Sequence, residues 1–150
     1  MTLRRARSDE VEKITAFQHA AYARNRDILG VMPIPLQADY TSILTHYEIW
    51  LHEDSDRLAG VLILEPRTDD LLIWSVATAP QARSRGIGNA LLAFAETRAR
   101  ELGKRIIRLY TGEPLVDNIA WYKRRGYVIE RTEARSDRRI VHMVKNLEGE

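Results

Sequence analysis

Between Leu71 and Leu102 the hydrophobic pattern changes period, and this change constrains the fold more than any other feature of the chain. Leu71-Leu72-Ile73-Trp74-Ser75-Val76-Ala77-Thr78 is almost continuously apolar, as in a strand covered on both faces. Pro80 stops it. A polar loop follows, and Ile87, Leu91, Phe94, Ala95 and Leu102 then recur at helical spacing. Glu96/Arg100 and Glu101/Arg105 are spaced as i,i+4 ion pairs. Gly103 stands where a glycine closes a helix, and Ile106 to Tyr110 is again a strand. Strand, helix and strand in this order form a βαβ unit with parallel strands and a right-handed crossover. The chain is therefore expected to be a layered protein of mixed α/β (α+β) class.

The flanks fit around this unit. Leu3 to Arg7 reads as a short edge strand, and Ser8-Asp9 offers N-caps to a helix that runs to about Arg24, with Glu10 and Glu12 in its first turn. Gly30 to Pro35 breaks that helix, since each residue before a proline is pushed toward extended backbone. Gln37 to Thr45 is a second short helix. Glu48 to His52 and Leu58 to Leu64 are strands around a polar turn. After the central unit comes a helix over Ile119 to Arg125, closed by Gly126. Tyr127 to Glu133 and Ile140 to Lys145 form an antiparallel pair around Ser136-Asp137.

Length and composition narrow the functions. A chain of 150 residues is the size of one domain, taken as residues 1–150, and can bury a core without staples. It has no cysteine, which removes disulfides, thiolate nucleophiles and iron–sulfur sites. Lys and Arg number 23 against 21 Asp and Glu, a net charge of +2, too small to indicate nucleic acid. No apolar run approaches the roughly 20 residues of a membrane span, and Met1-Thr2-Leu3-Arg4-Arg5 does not lead into a signal-peptide core. The cytoplasm is expected, with neither membrane nor nucleic acid as partner. His19, His46, His52 and His142 make no ligand-spaced pair, so no metal is expected.

Chemistry concentrates in the loop Arg83-Ser84-Arg85-Gly86-Ile87-Gly88-Asn89. Its glycines let backbone approach a ligand. The unpaired first amides of the following helix, with its dipole, suit a phosphate. A dinucleotide fingerprint is disfavoured because Leu91 stands where a third glycine belongs and Tyr110 where an acid belongs. A Walker loop is absent, since no Gly-Lys-Ser/Thr follows. A plain helix entry, with glycine for packing and arginine for solubility, is the competing reading.

The loop resembles the acyl-CoA signature of the GNAT superfamily of N-acetyltransferases, Arg/Gln-x-x-Gly-x-Gly/Ala after a strand that ends near a proline. Ser84 replaces a glycine common in that family, while the required pair Gly86 and Gly88 is kept. A second signature follows at the right distance: Asn118-Ile119-Ala120-Trp121-Tyr122-Lys123-Arg124-Arg125-Gly126-Tyr127 resembles the family's Asn…Tyr…Gly-Phe/Tyr helix. The order of elements matches over nearly all of the chain. The resemblance implies a GNAT-like fold: a central, mixed, mostly antiparallel sheet with a splayed parallel pair in the middle and helices on both faces. It implies direct transfer of an acetyl group from acetyl-CoA, as co-substrate and without a metal, to a primary amine on a small molecule or peptide.

The resemblance also assigns residues. Val76, Ala77 and Thr78 would meet the pantetheine arm, with an amide near Val76 polarising the thioester carbonyl. Arg83, Ser84, Arg85, Gly86, Ile87, Gly88 and Asn89 would hold the pyrophosphate. Tyr122 would be the general acid toward the departing thiolate, with Asn118 one helical turn away as a cofactor contact or helix cap. Glu113 or Glu65 would serve as general base, or neither. Tyr22, Arg24, Arg26, Pro33, Pro35 and Tyr40 are candidates for the acceptor pocket, because binding residues gather on loops held by a rigid scaffold. Trp121 is read as packing. A non-catalytic acyl-CoA sensor is the alternative function; it needs the loop but not Tyr122. A homodimer stays open.

Overall fold

The computed structural model describes residues 2–83 and 85–148. The elements run β1 (Arg4–Arg5), α1 (Val11–Leu29), α2 (Ile34–Gln37), α3 (Tyr40–His46), β2 (Glu48–Asp54), β3 (Arg57–Pro66), β4 (Leu71–Thr78), α4 (Ile87–Glu101), β5 (Ile106–Gly112), α5 (Val116–Arg124), β6 (Val128–Ala134) and β7 (Arg139–Asn146). Seven strands make one sheet in the order β1-β2-β3-β4-β5-β7-β6. Each neighbouring pair is antiparallel except β4 and β5, which are parallel. The expected central parallel pair in a mostly antiparallel sheet is present.

Helices cover both faces. On one, α4 and α5 pack Leu91, Leu92, Ala95 and Tyr122 against Leu62, Leu64, Leu71, Ile73, Ile107 and Leu109. On the other, Ile14 of α1 and Tyr40 of α3 cover Ile49, Leu51, Val61 and Ile63. The central strands are therefore apolar on both sides, which explains the continuous hydrophobic run that dominates the sequence.

Several boundaries shift for local reasons. The first helix continues to Leu29, because Gly30, at φ +71°, is the first residue to leave helical geometry; its N–H closes the helix on the Arg26 carbonyl. Ser8 and Asp9 lie inside a short 3₁₀ turn and do not cap α1. The i,i+4 pairs expected along α4 give way to partners outside or nearer. Glu96 receives Lys145 and the Tyr127 hydroxyl, each at 3.0 Å, while Glu101 pairs with Arg98 and Arg105 with Glu148.

Glu10 replaces the missing cap as the fastener of the N-terminal segment. Its buried carboxylate accepts from two nitrogens of Arg4 at 2.9 and 2.7 Å and from the Arg7 amide at 2.8 Å. The Arg4 hydrogen bonds hold its pKa down to about 2, against an ordinary 4.5. A folded-state pKa below the unfolded one stabilises the protein above the ordinary carboxylate range, and that stabilisation is lost as pH falls through about 2. Glu10→Gln is expected to cost about 2 kcal/mol at pH 7. Urea midpoints should show the difference from wild type shrinking between pH 4.5 and pH 2. A constant difference across that range would refute the assignment.

Candidate active site

β4 and β5 stay in register only from Leu71–Ile107 to Ile73–Leu109. There β4 carries a bulge: Leu64 of β3 pairs with Ile73 and Ile63 with Ser75, leaving Trp74 as the extra residue. Strict alternation would put Ser75 on the side of Ile73. Instead Trp74 and Ser75 both turn toward α1 and α3. Trp74 meets the rings of Tyr40 and Tyr47, each at 6.2 Å between centroids. Val76 returns to the α4 side. Beyond the bulge the two strands diverge, so the β4 edge from Trp74 to Thr78 has no ladder partner across the gap among the described residues.

A cavity of about 810 Å³ occupies this wedge. Helix α1 bridges its mouth. Near the end of β4 the Ala21 carbonyl accepts from the Arg83 guanidinium at 2.7 Å. Across the wedge Leu29 packs on β5 at Gly112, where an added Cβ would stand 2.5 Å from Leu29 Cδ2.

The start of α4 forms the other end of the cavity. Gly86, at φ +79°, turns the chain into the helix, a conformation that L side chains rarely adopt. The first intrahelical bond runs from the Ala90 amide to the Gly86 carbonyl at 3.1 Å. The amides of Ile87, Gly88 and Asn89 thus have no partner among the described residues, and Gly86, Ile87, Gly88 and Asn89 line the cavity. Together with the helix dipole they make an anion cradle. At Gly88 a Cβ would meet the Trp121 ring at 3.4 Å, an ordinary contact distance, so α4 begins packed against α5.

On α5, Asn118 and Tyr122 face the cavity one turn apart. Asn118 is the third residue of the helix, whose cap position is Leu115, so it is a cleft residue and not a cap. Tyr122 is 8 % exposed, and its hydroxyl bonds to no described residue. Burial first, and the nearby Tyr22 second, push its pKa up. The phenol is therefore a neutral donor at physiological pH.

A family model described as acetyltransferase (GNAT) family matches residues 9–127. The chain belongs to the GNAT acetyltransferase family. Among solved structures it is similar to the PaiA N-acetyltransferase of Thermoplasma acidophilum in complex with coenzyme A. That match has 14 % identity and a TM-score of 0.80, over 97 % of this chain and 98 % of that one. It is similar to the ribosomal-protein-S18-alanine N-acetyltransferase of Escherichia coli at 15 % identity and a TM-score of 0.80, over 97 % and 93 %. A GNAT family acetyltransferase from Elizabethkingia anophelis with acetyl-CoA bound aligns at 17 % identity and a TM-score of 0.69, over 97 % of each chain. At such identities these structures establish the fold. No curated protein matches the sequence.

The GNAT cleft gathers most, but not all, of the residues singled out from sequence. Val76, Ala77, Thr78, Arg83, Gly86, Ile87, Gly88, Asn89, Asn118 and Tyr122 line it. Ser84 lies outside the described residues. The Arg85 side chain leaves the cleft for the β2–β3 hairpin, where it meets Asp54 at 2.8 Å. Tyr22, Arg24, Pro33 and Pro35, the acceptor-pocket candidates, also line the cleft. Tyr40 stands behind that wall, its hydroxyl donating to the Pro35 carbonyl at 2.7 Å. Arg26 faces a separate shallow depression with Asp27, Gly30, Val31 and Met32, because it lies just past the edge of the arc of α1, centred on Ala21, Asn25 and Ile28, that lines the cleft.

Neither carboxylate named as general base lines the cleft. Glu65 pairs in register with Leu72, so it belongs to the β3 side of β4. Glu113 is half exposed and paired with Arg139 at 3.2 Å. The lining contains one carboxylate among the described residues, Asp117 in the first turn of α5. No group of His, Asp or Glu suited to a metal ion occurs among the described residues, and no helix there is long and apolar enough to cross a membrane.

Trp121 does more than pack. Its indole N–H donates to Asn89 Oδ1 at 2.7 Å, and the Arg125 guanidinium lies 5.4 Å over its ring. It joins α5 to the first turn of α4 and so stiffens the anion cradle. An amphipathic residue beside Tyr122 was the available signal, but a partner 32 positions away in sequence cannot be read from spacing.

Proposed function

We propose that the chain transfers the acetyl group of acetyl-CoA directly to a primary amine. One observation carries this reading: a strand edge, Trp74 to Thr78, leads straight to the amides of Ile87, Gly88 and Asn89, and neither edge nor amides have a backbone partner among the described residues. An extended arm with amide groups can pair with such an edge as an added strand, while its diphosphate rests on the helix terminus. The relatives solved with coenzyme A or acetyl-CoA share this fold. The absence of cysteine accords with attack by the amine itself.

In the proposed reaction the amine nitrogen attacks the thioester carbon, and a C–N bond forms as the C–S bond breaks. A β4 amide near Val76 receives the developing oxyanion, an interaction typically worth about 2.7–4 kcal/mol. Tyr122 donates its hydrogen bond, and finally its proton, to the departing sulfur. Its raised pKa makes complete proton transfer uphill from a phenol to a thiolate, so the hydrogen bond supplies most of the stabilisation and solvent restores the proton. With Glu65 and Glu113 outside the cleft lining, the acceptor's ammonium proton is lost to water. The rate should then rise with pH toward the acceptor's own pKa, without a carboxylate plateau.

Calorimetry and thermal shift test the reading. Coenzyme A at about 100 times its Kd should raise stability by about 2.7 kcal/mol, roughly 5 °C or more for a chain of this size. With an amine present, acetyl-CoA should release free thiol. No heat and no shift at millimolar coenzyme A would sink the proposal. Binding without thiol release from any amine would favour the sensor.

A further inference from the structure

The acceptor side of the cleft has a hydrogen-bond polarity that follows from counting protons. Gln18, fully buried, places its amide nitrogen 3.2 Å from Tyr40 Oη and 3.0 Å from Ser75 Oγ. Tyr40 has spent its proton on the Pro35 carbonyl, so it can only accept from Gln18. This fixes which way the amide points and leaves the fully buried Gln18 Oε1 without a hydrogen-bond partner among the described residues. Ser75, 3 % exposed, therefore accepts from Gln18. Its own proton has one taker among the described side chains, Tyr22 Oη at 2.7 Å. Either hydroxyl can donate in this contact, and both residues line the cavity. Two hydroxyl protons thus share one contact, and the pair keeps one donor for the cavity, Tyr22 being the member less buried by protein. Burial holds that phenol's pKa up at about 12, so it stays a donor.

The charges agree. The cleft is lined by Arg24, Arg83 and Arg138, with Asp117 as its one carboxylate among the described residues. Arg83 belongs to the loop end and is tied to Ala21. Arg138 comes from the turn between β6 and β7, beside the end of β5, with a side chain only 12 % exposed. Two of its nitrogens bond Asp137, and a guanidinium has five N–H groups, so donors remain. Apolar surface completes this wall: Trp74, Ile28, Pro33, Ile34 and Pro35.

We infer that the acetyl acceptor is an amine that carries a carboxylate and an apolar body, as an α-amino acid with a hydrophobic side chain does, and that Tyr22 and Arg138 read the carboxylate. A wall of donors and cations repels a polycationic amine and leaves a carboxylate fully satisfied. This deepens the acetyl-transfer reading and rests on it.

The test measures thiol release from acetyl-CoA by the full chain with paired acceptors. L-phenylalanine and L-leucine are set against phenethylamine and isoamylamine, which lack the carboxylate, with spermidine as the polycation. The carboxylated member of each pair should have at least tenfold higher kcat/KM, and spermidine the lowest. Tyr22→Phe and Arg138→Gln should each raise KM for the carboxylated acceptors about tenfold. They should cost the plain amines clearly less and leave the KM for acetyl-CoA within about twofold. Ser75→Ala, which frees Tyr22 without removing it, should act in the same direction as Tyr22→Phe and more weakly. Equal rates within the pairs, preference for spermidine, or equal losses on both acceptor types would overturn the assignment. So would the absence of turnover with every carboxylated amine while calorimetry shows coenzyme A bound. If coenzyme A itself does not bind, the acetyl-transfer reading falls first and takes this one with it.

Discussion

Replacing Asn89 by Asp is expected to weaken coenzyme A binding about thirtyfold while leaving the protein as stable as wild type. The two side chains have the same shape. Asp can still accept the Trp121 indole N–H that now reaches Asn89 Oδ1 at 2.7 Å. An acidic residue in the first turn of a helix also favours the helix, by about 0.3–1 kcal/mol. The fold therefore has no reason to suffer. The new charge, however, lies among the amides of Ile87, Gly88 and Asn89, which have no partner among the described residues and where the proposed diphosphate rests. Two like charges about 5–8 Å apart repel by roughly 2 kcal/mol at the effective dielectric near a protein surface, which is about thirtyfold in Kd. Salt should soften the loss, since this region is open to solvent. Titration calorimetry at low and physiological ionic strength, beside a melting curve, measures both halves. Unchanged affinity would show that the loop ahead of α4 does not hold the phosphates.

Tyr122→Phe is expected to lower kcat about a hundredfold, the lower end of what a positioned proton donor contributes. The hydroxyl bonds to no described residue and opens on the cleft, while the ring packs against Trp121 and Tyr127 at 4.9 and 6.1 Å. Phe keeps that packing, so the melting temperature should hold. The KM for acetyl-CoA should stay within about twofold, because the interaction lost is one made as the sulfur departs. A variant with undiminished kcat would remove Tyr122 from the chemistry. It would leave the Asn89 result untouched, since that charge change acts on binding alone.

How far these sites could be read in advance depended on range. Both termini of α4 and the C-terminus of α1 are set by local backbone chemistry. Gly86, Gly103 and Gly30 adopt positive φ where the helices begin or end; Gly86 and Gly103 announced the bounds of α4, whereas α1, expected to stop at about Arg24, runs on to Leu29. The cradle was legible for the same reason: its donors are consecutive amides. The i,i+4 spacing of Asn118 and Tyr122 put them on one face of α5, and both do face the cleft. Side chains that choose partners across the fold were not legible. Arg85 turned to Asp54, Glu113 to Arg139 and Glu96 to Lys145, each over 26 or more positions. Ion pairs form wherever the fold brings opposite charges together, and sequence spacing carries no trace of that.

The sequence by itself determined the layered class, the parallel pair at the centre and the anion-binding turn between β4 and α4, because hydrophobic period and glycine placement act over a few residues. Only the tertiary structure decided that β7 would slip between β5 and β6, since pairing order depends on which edges are free once the chain has collapsed. The same holds for the bulge at Trp74 that turns Ser75 from the Ile73 side to Tyr22 and Gln18. A one-residue change of register reverses the face of every later side chain, and that register is set by β3, packed beside β4, and not by the residues of β4 alone.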